Sequence, residues 1–188
     1  HMVGFEALAR WRHPERGLVG PGSFISLAEE TGIILDLGRV VLAQACADLA
    51  RWRESDPTAR KLFVAVNLSS KQFAEFSLVE NVQDILARTG LPPERLKLEI
   101  TETTIMVNAE SALVMLRRLK ALGVQISIDD FGTGYSSLSY LQRFPVDTLK
   151  VDRSFVGRLG LDPENQEIVK AMVALAHSLG LDVVAEGV

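Results

Sequence analysis

Ile128-Asp129-Asp130-Phe131-Gly132-Thr133-Gly134-Tyr135-Ser136-Ser137-Leu138 is the stretch on which the reading of this chain turns. Upstream, Val124, Ile126 and Ile128 alternate with Gln125, Ser127 and Asp129. A two-residue period of this kind predicts a strand that delivers its acids into a glycine-containing loop and a hydroxyl-rich helix start. Successive strand side chains point to opposite faces, so Asp129 shares a face with Ser127, and the loop must turn Asp130 before both acids can serve one site. Adjacent aspartates held this way suit one or two divalent cations. An ordinary strand end followed by a polar helix cap is the plainer alternative. What separates the two is whether the layout recurs elsewhere in the chain.

It does recur. Val3 to Leu8 predicts a short strand with Glu6 opposite Phe5 and Ala7, followed by a loop through Arg10-Trp11-Arg12-His13-Pro14. Ser23 is expected to cap a helix to about Thr31, stopped by Gly32, and Leu35 to Arg53 reads as a longer amphipathic helix. Strands are expected at Phe63–Leu68, Leu96–Thr101, Thr148–Asp152 and Asp182–Glu186, with helices at Leu78–Arg88, Asn108–Leu122, Ser136–Arg143 and from Asp162-Pro163 to Gly180. Six strands alternating with helices predict a parallel α/β arrangement. Glu6, Asn67, Glu99, Asp129, Lys150 and Glu186 each fall near the C-terminal end of a strand, opposite its main apolar residues. In a (β/α) barrel, branched apolar residues face the helices and the active site lies at the C-terminal mouth, so this parity aims six polar groups at one site.

The composition narrows the function classes. With 188 residues and 47% hydrophobic content the chain is one domain's worth and can bury a substantial core. A net charge of −4 gives no general attraction to nucleic acid, so no duplex-binding role is expected and any phosphate must be held locally. The single cysteine, Cys46, cannot form an internal disulfide and fits a reducing compartment. No stretch is long enough to span a bilayer, so membrane contact by this segment is not expected. His1-Met2 reads as an engineering remnant, which leaves residues 3–188 as the natural segment.

Carboxylates, one amide oxygen and neither thiolate nor histidine describe a site for a hard cation, Mg²⁺ or Mn²⁺ rather than zinc. His177 is expected to pack inside its helix, and His13 to be solvated in a loop. Four or five acids can hold two ions, which suits in-line attack on a phosphodiester. Lys150 among them would keep its charge and orient the water or a phosphate oxygen. Arg10, just beyond Glu6, suits a bidentate phosphate contact.

These motifs resemble the EAL-domain phosphodiesterases: Glu6-Ala7-Leu8 with Arg10-Trp11, Val66-Asn67-Leu68-Ser69, Leu98-Glu99-Ile100-Thr101-Glu102, Asp129 to Leu138, Leu149-Lys150-Val151-Asp152 and Val184-Ala185-Glu186-Gly187-Val188. The resemblance runs nearly the whole chain in the family's order. It implies a TIM-type (β/α) barrel that hydrolyses cyclic di-GMP to linear pGpG in bacterial signalling. By the family's pattern Glu6, Asn67, Glu99 and Asp129 bind a metal, and Asp130 and Glu186 serve a second metal or the attacking water. Lys150 orients that water, Arg10, Leu8 and Asp152 contact substrate, and Glu102 holds the loop after Asp130. The family's pattern has a further strand before Glu6 and further residues after Val188, so an incomplete barrel with about six of eight strands is expected. A weakly active or silent cyclic-di-GMP binding module and a dimerisation scaffold remain alternatives. The expected setting is cytoplasmic, as a homodimer, within a parent protein fused to sensory or diguanylate cyclase domains and possessing its own membrane anchor in some architectures.

Overall fold

The structure is a computed structural model and describes residues 2–134 and 138–188. Tyr135, Ser136 and Ser137, the start expected for the helix after the acidic loop, lie outside the described residues. In chain order the described elements are β1 (Gly4–Ala7), β2 (Trp11–His13), β3 (Gly17–Val19), α1 (Ile25–Thr31), α2 (Ile34–Ser55), β4 (Phe63–Leu68), α3 (Ser70–Phe73) and α4 (Leu78–Thr89). They continue with β5 (Leu96–Thr101), α5 (Glu102–Val107), α6 (Ala109–Ala121), β6 (Gln125–Phe131), α7 (Leu138–Leu141), β7 (Thr148–Val151), α8 (Arg153–Val156), α9 (Pro163–Ser178) and β8 (Asp182–Ala185).

The main sheet has the order β1-β4-β5-β6-β7-β8, and the pairs β1/β4, β6/β7 and β7/β8 are parallel. Six parallel strands joined through helices are the sheet of an incomplete TIM-type barrel. Burial on both faces of the central strands explains their near-continuous apolar runs: Val64, Ala65 and Val66 in β4, and Leu96, Leu98 and Ile100 in β5, are all buried. The same burial covers Lys97 and Glu99 on the other face of β5.

The residues form two compact units, His1–Leu98 with Leu122–Val124, and Glu99–Ala121 with Gln125–Val188. In the first, α2 packs on β4 and α4. Its buried stripe Leu42, Cys46 and Leu49 recurs at the spacing of one helix face. In the second, α9 packs on β7 and β8, and α6 on β6 and α5. Asp147 ties this unit together locally, taking Lys120 Nζ at 2.8 Å on both oxygens and the Ile126 N–H at 2.7 Å.

Several expectations are corrected. The loop expected at Arg10–Pro14 contains β2, which pairs antiparallel with β3 in a hairpin, Trp11 opposite Val19 and His13 opposite Gly17. Three-residue strands are too short for a period to show. Ser23 ends a 3₁₀ turn instead of capping a helix, and α1 starts after Phe24 with no side-chain cap. Three short helices went unforeseen because each begins where a strand ends: α3 behind the Ser69–Gln72 capping box, α5 behind Thr101, and α8 behind Asp152. The last therefore takes Asp152 out of β7 and makes it a helix cap.

Complete burial pushes the Cys46 thiol up to about 12, so roughly one thiol in ten thousand is ionised at pH 8. Ellman's reagent at pH 8 is therefore expected to react with the native chain only as fast as it unfolds, and at once in guanidinium chloride. Rapid labelling without denaturant would contradict this packing.

Candidate active site

The acids of the second unit converge because β6 breaks register. Ile128 pairs with Leu149 and Phe131 with Val151, so two residues, Asp129 and Asp130, stand against Lys150 alone. Such a bulge adds a residue to one strand and re-aims its side chain. Asp130 takes a left-handed backbone, φ 53°, among the described residues the one non-glycine case, and this supplies the turn that simple alternation denies it. Asp129, Asp130 and Glu186 then each offer a carboxylate oxygen within 4.8 Å of the others.

At the centre lies Lys150, 6% exposed. Its Nζ is 2.9 Å from Glu99 Oε2, 3.0 Å from Asp129 Oδ1 and 2.6 Å from Glu186 Oε1. Burial alone would push the ammonium toward neutrality. Hydrogen bonds to Glu186 and Glu99 and the charges of Glu99 and Asp129 outweigh it, so its pKa lies above the ordinary lysine value and the group stays charged. The acids are not all relieved. Burial, then the Asp129 and Asp152 charges, raise Asp130, against the pull of Lys150 and Arg153. Burial likewise raises Glu186 despite its bond to Lys150. Glu99, Asp129, Asp130 and Glu186 thus outnumber Lys150 and Arg153 and leave net negative charge. An all-oxygen set with this surplus fits a hard divalent ion.

The loop after Asp130 is held by a buried acid. Glu102 Oε2 accepts the N–H groups of Gly132, at 2.8 Å, and Gly134, at 3.3 Å. Gly132 has φ 98°, and a Cβ there would lie 2.3 Å from Met172 Cε and 3.0 Å from the Phe155 ring. Asp152 Oδ1 accepts the Ser154 N–H at 3.0 Å, and the Ser154 hydroxyl is the chief cause holding its carboxyl below the usual range. Glu186 donates its backbone N–H to Val151 O at 3.1 Å, which fixes it beyond β8.

The first unit brings together Glu6 and Asn67. Asn67 Nδ2 donates to Glu6 Oε1 at 2.7 Å, which orients the amide and assigns Oδ1 as its acceptor atom. Arg10 is exposed, with Nη1 on the Ala9 carbonyl at 2.8 Å. Leu8 is also exposed and lines, with Phe5, Glu6, Val40 and Trp52, a groove of about 410 Å³. The histidines differ from expectation. His177 is exposed, and His13 belongs to β2, its Nδ1 accepting the N–H groups of Glu15 and Arg16. Phe155, Met172 and Asn165, which support the acidic loop and α8, carried no sequence signal beyond ordinary helix positions.

A sequence profile described as the EAL domain matches residues 1–188, and the chain belongs to the EAL domain family. It is 50% identical over 187 residues to the bifunctional diguanylate cyclase/cyclic di-GMP phosphodiesterase MucR of Pseudomonas aeruginosa, covering 100% of this chain and 27% of that protein. To the cyclic di-GMP phosphodiesterase NbdA of the same organism it is 48% identical over 183 residues, covering 97% of this chain and 23% of NbdA. The solved PaMucR phosphodiesterase in complex with c-di-GMP matches with a TM-score of 0.96 at 49% identity, covering 100% of this chain and 75% of that one. The chain therefore spans about a quarter of the length of these two curated relatives.

Replacing Lys150 strands its partners. In the presence of EDTA, Lys150→Met is expected to cost about 3–5 kcal/mol at pH 8 in urea unfolding, the usual penalty for leaving buried charge unpaired. Lys150's own stabilisation is full below the ordinary lysine pKa and is lost only as pH rises through its raised folded value, so it does not change between pH 5 and 8. Asp130 and Glu186 already lie above their ordinary values, and loss of the ammonium raises them further. Their penalty is complete above those values and is relieved as pH falls, so the loss at pH 5 is expected to be smaller. An equal loss at both pH values would contradict the assignment of Lys150 as their counter-ion.

Proposed function

We propose that this chain hydrolyses cyclic di-GMP to linear pGpG, using Mg²⁺ or Mn²⁺, with two ions in the active form. The observation that carries the reading is the convergence of Glu99, Asp129 and Glu186 on Lys150 Nζ, with Asp130 turned toward the same acids, in a member of the EAL family. The relatives named for cyclic di-GMP hydrolysis support the substrate. Residues 3–188 act in this reading as one catalytic domain of a cytoplasmic parent protein that also carries cyclase or sensory domains. The described residues include no helix long and apolar enough to cross a membrane.

Glu6, Asn67, Glu99, Asp129 and Asp130 would hold the ions, which when bound neutralise phosphate charge and lower the pKa of water. Arg10 clamps a phosphate oxygen, and Leu8 and Asp152 contact the nucleotide. Water attacks phosphorus in line as the P–O3′ bond breaks. Glu186 takes the water's proton, and the departing 3′ oxygen takes a proton from solvent, giving pGpG with a free 3′ hydroxyl. Lys150, anchored by Glu99 and Asp129, aims Glu186 and the water. Keeping every acid weighs against the binding-only reading. A homodimer is supported by the exposed aromatic pair Phe5 and Trp52, which are 37% and 44% exposed and meet edge to face at 5.3 Å.

Incubation of the chain with cyclic di-GMP and Mg²⁺ or Mn²⁺ is expected to yield pGpG, and Ca²⁺, with its longer and looser coordination, to yield none. Glu6→Gln and Asp129→Asn are expected to abolish turnover. Arg10→Ala is expected mainly to raise KM, since it removes a clamp and no ion ligand. Equal rates in Ca²⁺, or near-normal turnover by Glu6→Gln, would overturn the site assignment.

A further inference from the structure

α8 is four residues long, too short to hold its own orientation, yet it carries Asp152 as its cap and Phe155 against the acidic loop. Its anchor is Asn165. This side chain, 6% exposed in the first turn of α9, donates Nδ2 to the Phe155 carbonyl at 2.5 Å. Asn165 is itself fixed, its N–H reaching the Asp162 carboxylate that caps α9. The Phe155 ring lies 3.0 Å from where a Gly132 Cβ would stand, beside Met172 Cε at 2.3 Å. On the other side of Gly132 its N–H is taken by Glu102. Gly132 is therefore clamped between a carboxylate and an apolar pair, two residues from Asp130 and its left-handed turn.

We infer that Asn165 is a positioning residue for the reaction proposed above: its amide locks α8, and through Phe155 and Gly132 sets the placement of Asp130, and through the α8 cap that of Asp152. It touches neither ion nor substrate. Only a donor serves here, because the partner is a carbonyl oxygen. An aspartate of nearly the same shape would set a carboxylate against that oxygen, and one of the two would have to move. The inference rests on the phosphodiesterase reading for its kinetic consequence, and not for its structural one.

Three readouts test it on the full 188-residue chain. Asn165→Asp is expected to speed amide exchange at Gly132 while exchange at Ile126, held by Asp147, is unchanged. It should also weaken Mn²⁺ binding, followed by electron paramagnetic resonance, or lower kcat, by about 10–100-fold, the range seen when support of a metal ligand is lost. Phe155→Leu should reproduce these losses, and the double variant should lose little more than either single one, because both act through one contact. If Asn165→Asp does not fold, Phe155→Leu alone must still show them. A variant pair that lowers Tm while leaving Gly132 exchange, Mn²⁺ affinity and kcat unchanged, or whose effects simply add, overturns the inference. Absence of pGpG from the wild-type chain would instead overturn the functional reading, with Gly132 exchange and Mn²⁺ affinity still reporting on Asn165.

Discussion

A single ammonium group, Lys150 Nζ, lies within 3.0 Å of carboxylates from β5, β6 and the residue after β8. Three acids could not stand so close together without it, because each would protonate or drive the strands apart. The pairing is also incomplete. Asp130 and Glu186 keep raised pKa values after Lys150 has been counted, which is the condition of a site with room for more positive charge. The same interaction therefore explains why the strand ends hold together while leaving the surplus negative charge that suits a cation.

Local backbone geometry decides which acids take part. A regular β6 would send Asp129 and Asp130 to opposite faces, and the bulge opposite Lys150 removes that constraint. The cost is a left-handed aspartate, which the neighbouring loop contacts hold in place. Asp130 O accepts the Thr133 hydroxyl at 2.8 Å, Glu102 binds the next two glycine N–H groups, and Phe155 and Met172 close over Gly132. A bulky residue at position 132 would meet both a forbidden φ and a filled space, so glycine there is a requirement of this loop.

The six main strands were legible because each joins a regular apolar face to a polar residue at its C-terminal end. That parity also singled out Glu6, Asn67, Glu99, Asp129, Lys150 and Glu186, whose side-chain pairings Glu6–Asn67 and Lys150 with its three acids are now seen in the structure. What stayed hidden depends on contacts between distant segments. The bulge is a register relation with β7 and leaves no mark in the residue pattern of β6. Asn165 reads as an ordinary first-turn residue, and its significance comes from a carbonyl ten positions earlier. The hairpin of β2 and β3 failed for another reason: with three residues to a strand, Trp11-Arg12-His13 and Gly17-Leu18-Val19 have no measurable period.

If these acids form a cation site, Asp129 is an indispensable member of it. Titration of the chain with Mn²⁺, followed by electron paramagnetic resonance of the free ion, tests it most directly, with Asp129→Asn as the comparison and unfolding curves to show that both chains are folded. Saturable binding by the wild-type chain is expected, with at least a hundredfold weaker binding by the variant, about 3 kcal/mol. Equal affinities, or no saturable binding by a folded wild-type chain, would contradict it.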